Sequence, residues 1–205
     1  MAKRNRNIEK PEEAFTRLVD TFNWCPGDRE TPCGEGSFLE ANKPIINMLP
    51  EWFIIYNIRS VVDIGCGDFH WMRNVNFTGI EYDGFDVVKK FIDALVVTHG
   101  RQNVRFHHAD VFKHELPKAD LYVCKDVINH YTEQEGIELV ARIREASKYF
   151  AAITFPGNSG PIVQKWEYRY IDFNISPFGF GVPLESVAAN ESRKPQRVFS
   201  IWKSQ

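Results

Sequence analysis

The sequence predicts an α/β domain built on a mostly parallel sheet with helices on both faces. Three observations predict it. From Ser60 onward, short β-branched or aromatic runs alternate with helix-patterned segments. The first of these runs passes directly into a glycine turn, Val61-Val62-Asp63-Ile64-Gly65-Cys66-Gly67-Asp68. A chain of 205 residues that is 43% hydrophobic and 14% aromatic has enough apolar surface for one continuous core. No Ser/Gly-rich or Pro-rich stretch divides it, so residues 1–205 are read as a single domain. Within it, residues 1–59 supply N-terminal helices and a loop over the site, and residues 60–205 form the alternating core.

Each element has its own signal. Pro11 to Asn23 places Phe15, Leu18, Val19 and Phe22 at helical spacing behind a proline and two glutamates, which suits a first helical turn. Turn formers fill Cys25 to Ser37. Ser37 followed by Glu40 predicts a capping box for a helix over Phe38 to Leu49, stopped by Pro50. The core then reads as a strand at Val61–Ile64, a short helix near Trp71, a strand ending at Asp86 and a helix over Val87 to Val97. Strands follow at Val104–His107 and Leu121–Cys124, then a helix from Glu133 to Ser147 and a strand at Phe150–Phe155. A last strand is expected at Val198–Trp202.

Composition removes several classes of function. The formal net charge is −2, so there is no chain-wide attraction to phosphate backbones, and a nucleic-acid partner would need a local basic patch. The basic opening Met1 to Asn7 runs into Glu9, Glu12 and Glu13 instead of an apolar segment, and reads as a solvated tail, not a signal peptide. With no run of about eighteen apolar residues to span a bilayer, a cytoplasmic protein without a membrane partner is expected. Cys25, Cys33, Cys66 and Cys124 form no CxxC pair and have no histidine at zinc-finger spacing. Free thiols and no metal are expected, with a Cys25–Cys33 clip as the lesser alternative.

The glycine turn carries the most information. Glycines let the backbone pass close to a ligand, and the free N–H groups of the turn favour an anionic or nucleotide-like cofactor. A dinucleotide fingerprint requires a third glycine where this chain has His70, and an acid precedes the first glycine, so NAD is disfavoured. Such a cofactor also needs a carboxylate at the tip of the next strand for its ribose hydroxyls. Glu81, Asp83 and Asp86 compete; Asp86 follows Gly67 by 19 positions, close to the strand-helix-strand spacing, whereas Glu81 leaves too short a crossover. After the third strand, Asp110 can accept from an adenine amine and the Val111 amide can serve a ring nitrogen; otherwise Asp110 caps its own loop.

The D-x-G-x-G form of the turn resembles the first motif of class I S-adenosylmethionine-dependent methyltransferases. The likeness extends to a small single-domain group of them through Gly34-Glu35-Gly36-Ser37, DIGCGDFHWM (Asp63 to Met72), YDGFDVV (Tyr82 to Val88) and CKDVINH (Cys124 to His130), and on through Thr154-Phe155-Pro156 and Ser176-Pro177-Phe178. Pro32-Cys33 departs from the Ser common before the first of those glycines. The resemblance implies a Rossmann-like seven-stranded sheet with its last strand antiparallel, and S-adenosylmethionine as cofactor. The expected cofactor-binding residues are Asp63, Gly65, Cys66, Gly67, Asp68, Trp71, Asp86, Val87, Asp110, Val111 and Lys125. Trp71 could equally be core.

Methyl transfer from a sulfonium needs positioning and exclusion of water, and a hydroxyl acceptor also needs a base. The segment Lys125 to Tyr131 follows the fourth strand, at the carboxyl edge where open parallel sheets bind ligands. His130 lies four residues after Asp126, so a helical turn would set both on one face, with His130 as base and Asp126 as its orienting partner. Alternatively these polar residues serve the loop backbone, or Asp126 and Asn129 share a Mg²⁺. His107 and His108 point to opposite faces of a strand and are read as structural. Trp166, Tyr168 and Tyr170 with the Phe178–Pro183 loop form a candidate acceptor wall. The function expected is O-methylation of a sugar or glycan hydroxyl or other small molecule. The alternatives are RNA ribose methylation, a non-catalytic cofactor-binding module and, last, a dehydrogenase. Amino-directed DNA methylation lacks its D/N/S-P-P-aromatic motif here, and cytosine-ring methylation lacks a Pro-Cys nucleophile.

Overall fold

The computed structural model describes residues 10–21, 30–160, 167–189 and 195–205. Seven strands form one sheet: β1 (Ser60–Ile64), β2 (Glu81–Asp86), β3 (Val104–His108), β4 (Ala119–Cys124), β5 (Ser147–Thr154), β6 (Glu185–Ala188) and β7 (Val198–Lys203). Their spatial order is β3-β2-β1-β4-β5-β7-β6. β1 runs parallel to both β2 and β4, while β7 runs antiparallel to β5 and β6. The chain moves outward from β1 through β2 to β3, then returns to add β4 on the other side of β1. That reversal opens a crevice beyond the carboxyl ends of β1 and β4, where ligands settle in open α/β sheets.

The central strands are apolar at nearly every position because both faces are covered. Along β1, β4 and β5, alternate residues enter two separate cores: Val61, Leu121, Val123, Ala151 and Ile153 enter one, and Val62, Tyr122, Cys124, Phe150 and Ala152 the other. Helix α2 (Leu39–Ile55) closes the first core, and α4 (Glu133–Ala146) the second. Helix α4 starts where expected because Thr132 and Glu135 form a reciprocal capping box.

Helix α2 corrects two expectations. Ser37 does not cap it: Ser37 lies in a 3-10 turn, Phe38 is the N-cap without a side-chain cap, and the Leu39 N–H donates instead to Glu30 Oε1 at 2.7 Å. Pro50 does not stop it, and both Pro44 and Pro50 lie inside the helix. An interior proline costs about 3 kcal/mol, but Ile45, Leu49, Trp52 and Phe53 are all buried along one face. At about 1.5–3 kcal/mol each, that burial outweighs the two breaks. Smaller differences are a single 3-10 turn, Met72–Asn74, in place of a short helix near Trp71, and a helix α3 (Lys89–Thr98) that begins two residues late. The short strand β6 had no distinct sequence signal. Helix α1 (Pro11–Asp20) ends before Phe22 and Asn23, which lie outside the described residues, as do Cys25 and Trp166.

Candidate cofactor and acceptor site

The crevice is a cavity of about 700 Å³, within the range of small-molecule sites. One end is made of backbone. Gly65 and Gly67 have φ of 73° and 57°; a Cβ on Gly65 would stand 2.2 Å from Val127 Cγ2, and one on Gly67 2.8 Å from Cys33 Sγ. The turn is pinned to β2, with the Gly65 and Cys66 N–H groups both donating to Phe85 O at 2.8 and 3.1 Å. Asp86 lies at the carboxyl tip of β2, lines the cavity, and accepts from Gly67 N at 2.9 Å and Val88 N at 2.7 Å. Burial pushes its carboxyl up, against the pull of those N–H donors. A carboxylate has about four acceptor sites, so capacity is left for a ligand's hydroxyls. Glu81 and Asp83 are held by Arg105, with His107 also on Asp83, and neither lines the cavity. Of the three acids, Asp86 is the one that lines the cavity.

The other expected cofactor residues divide. Asp63 lies in the floor and accepts from the Tyr82 hydroxyl at 2.8 Å; burial pushes its carboxyl up to about 7, opposed by that hydrogen bond and by Lys125. Cys66, Asp68, Trp71, Val87, Val111 and Lys125 all line the cavity. Asp68 accepts from Thr31 Oγ1 at 2.7 Å, and the Lys125 ammonium sits 5.4 Å from the Trp71 ring centroid. Asp110 is absent from the lining: its carboxylate accepts from Phe112 N at 3.1 Å and pairs with Lys113 at 2.6 Å. It caps its own loop and, like Asp86, keeps acceptor capacity beyond these two contacts.

The opposite end, where an acceptor is expected, is made of side chains. Asp126 and His130 both line the cavity, but not as a helical pair. Asp126 has φ 62°, and only a 3-10 turn, Ile128–His130, follows it. Its carboxylate is bonded to Lys125 Nζ at 3.0 Å, to the Tyr168 hydroxyl at 2.7 Å and to Arg197. Burial alone would raise it, but the two cations hold it well below the usual carboxylate range. The Asp126 carboxylate is thus committed to these three partners. The His130 ring is edge-on to Phe15 (5.7 Å) and Tyr168 (5.3 Å). Asn129 is buried, is absent from the cavity lining, and donates through its amide to Arg169 O at 2.9 Å.

Tyr168 and Tyr170 line the cavity with Phe155, while Phe178 and Phe180 pack into the second core against Phe173 and Trp202, so the Phe178–Pro183 loop is not an acceptor wall. His107 is held by Asp83, and His108 Nε2 donates to Val87 O, so the two rings turn to different partners. Arg197 and Phe15 were missed; each is one residue of an ordinary pattern, and only the fold brings it to the cavity. Among the described residues Cys33, Cys66 and Cys124 are free, and no helix is long and apolar enough to cross a membrane.

Strand order, the single antiparallel insertion of β7 and a glycine cradle facing a strand-tip carboxylate define the class I methyltransferase fold. Residues 42–154 match the O-methyltransferase domain family, and the chain belongs to that family. Among solved structures it is similar to the mitomycin 7-O-methyltransferase MmcR (TM-score 0.64, 16% identity, 92% of this chain and 60% of that one). It is also similar to magnesium protoporphyrin IX methyltransferase from Synechocystis PCC 6803 with bound SAM (0.59, 17%, 92% and 95%). A third is the N-terminal domain of EvdMO1 in the presence of SAH and D-fucose (0.58, 12%, 93% and 95%). At these identities the likeness establishes the fold. The chain spans only 60% of the length of MmcR. Among curated proteins no relative matches. The family's cofactor is S-adenosylmethionine, and the cradle fits it: the turn is bare of side chains where a Cβ would collide, and Asp86 presents a buried carboxylate to the same cavity.

Proposed function

We propose that this chain is an S-adenosylmethionine-dependent methyltransferase that methylates a hydroxyl of a sugar, glycan or comparable small molecule. The observation that carries the reading is that a buried imidazole, His130, shares one cavity with the Gly65–Gly67 cradle and Asp86. The bound cofactor supplies a methyl group already activated on sulfur. What remains for the chain is to hold the cofactor through Asp86, Gly65 and Gly67, to exclude water, and to remove one proton from the acceptor.

His130 is assigned as the base. Asp126 is spent on Arg197 and Lys125, which makes it a weak proton acceptor, and the Tyr168 hydroxyl, raised by burial and by Asp126, stays protonated. Imidazole is the side chain whose ordinary range spans neutral pH. A neutral ring-shaped acceptor is favoured by the aromatic rim, where Tyr168 and Tyr170 are 41% and 42% exposed, presenting faces without adding charge. The presence of D-fucose with the similar EvdMO1 domain is consistent with that class. Free thiols suit a cytoplasmic setting.

The test is transfer of labelled methyl from S-adenosylmethionine to a panel of methyl glycosides, oligosaccharides and RNA. Uptake into a neutral sugar that His130→Ala removes, with binding of S-adenosylhomocysteine (SAH) retained, supports the assignment. Uptake into RNA that collapses with salt favours ribose methylation instead. Binding without transfer to any acceptor favours a non-catalytic module.

A further inference from the structure

We propose that Arg197 is a positioning residue for the cofactor: acting through Asp126 and Lys125, it holds the Gly34–Ser37 loop over the cofactor cradle. The proposal rests on the methyltransferase reading above. Arg197 stands at the entry to β7, and its side chain is only 7% exposed. Its guanidinium donates to Asp126 Oδ2, and the same oxygen accepts from Lys125 Nζ at 3.0 Å. Lys125 in turn donates to the Gly36 carbonyl at 2.7 Å. A Cβ on Gly36 would lie 3.2 Å from Asp126 Oδ2 and 3.3 Å from Arg197 Nη2, so loop and ion group fit with little spare volume.

Two features separate this arrangement from ordinary packing. Asp126 adopts a left-handed backbone (φ 62°), which Asp tolerates better than most residues and which turns its carboxylate to Arg197 and Lys125. Burying three charges together also costs desolvation that an apolar filling avoids, yet all three line the cavity. The loop's other side is tied to the glycine turn itself, by Thr31 Oγ1 donating to Asp68 at 2.7 Å and by Cys33 Sγ against Gly67. Asn42 Nδ2 also donates to the Gly36 carbonyl at 2.9 Å, so Arg197 acts by fixing where Lys125 meets that carbonyl on the side of the loop that the turn does not reach. Losing it loosens the loop there while leaving Asp86 and both glycines in place.

The experiment is calorimetric titration with SAH, alongside amide hydrogen exchange at residues 34–37, for wild type, Arg197→Ala, Arg197→Lys and Asp126→Asn. Asn is chosen because it tolerates the left-handed backbone. Arg197→Ala is expected to weaken SAH binding by about tenfold or more, the effect of one lost charge-assisted hydrogen bond, and Arg197→Lys to recover most of it. Exchange should accelerate at residues 34–37 and not along β7, a confinement that a merely structural Arg197 would not produce. The Arg197→Ala, Asp126→Asn double variant should bind no worse than Arg197→Ala, because both act through one contact. Where Arg197→Ala does not fold, Arg197→Lys and Asp126→Asn decide on the same two readouts. Folded variants that bind SAH like wild type with unchanged loop exchange overturn the proposal alone. A wild type that binds no SAH overturns the methyltransferase reading and this proposal with it.

Discussion

The two ends of the cavity are built differently. The cofactor end is backbone held in sheet register: Asp63 and Ile64 of β1 pair with Gly84 and Phe85 of β2, and Asp86 ties the turn to the strand tip. The end proposed for the acceptor is side chains brought from four separate segments: Phe15, His130, Phe155, and Tyr168 with Tyr170. Helix α1 brings Phe15, yet it belongs to a small cluster of its own around Ala14 and Tyr131. The exposed ion pair Lys90–Asp20 and the His108–Glu12 contact secure it further; an exposed ion pair contributes about 0–1 kcal/mol. The difference teaches that cofactor geometry is fixed by the sheet, whereas acceptor geometry depends on a few contacts that can change at low cost to stability.

The strongest way to sharpen the contrast is His130→Ala. It should lower methyl transfer by about 10²–10⁴-fold, the usual worth of a general base, with SAH affinity unchanged by calorimetry. Next, Gly65→Ala should weaken SAH binding about a hundredfold, since its methyl meets Val127 at 2.2 Å and its φ of 73° is strained for alanine. An unchanged affinity there would break the claim that the cofactor end is rigid. Third comes pH. The folded Asp63 carboxyl keeps its proton up to about 7, so the folded state binds more protons than the unfolded chain between the ordinary carboxylate range and that pH. Stability contributed by the neutral acid is present below this window and is lost as pH rises through it. Asp63→Asn should therefore raise Tm by a few degrees at pH 8 and by less at pH 5, measured by thermal melts. Asp126, held low by Arg197 and Lys125, runs the other way: its contribution is present at neutral pH and is lost as pH falls below the ordinary carboxylate range. The smallest effect expected is Tyr170→Ala, a several-fold rise in acceptor KM with SAH binding intact; an equal loss of both would deny the division of the cavity.

The same contrast governs what could be read from the sequence. Strands β1, β4 and β5 and the glycine turn were legible because their signals are contiguous: apolar runs, two glycines, and an acid at 19 residues. Helix α2 was read short because Pro50 carries a strong local stop signal, while the burial of Trp52 and Phe53 that overrides it is a tertiary fact. The pairing of Asp126 with His130 failed because it assumed a helical turn where the backbone is left-handed. Nothing local announces that Asp126 will meet Arg197, 71 residues away. Asp110 was read from its place after the third strand, and that place does not announce the Lys113 pairing three residues on.

The most direct test of the account is titration of the purified protein with S-adenosylmethionine and SAH, beside Asp86→Ala and with NAD as control. The account predicts micromolar binding of both sulfur ligands, loss of at least about tenfold in Asp86→Ala, where a buried hydrogen-bonding carboxylate is removed, and no binding of NAD. A folded wild type that binds neither sulfur ligand, or an Asp86→Ala variant that binds them as tightly as wild type, would contradict it.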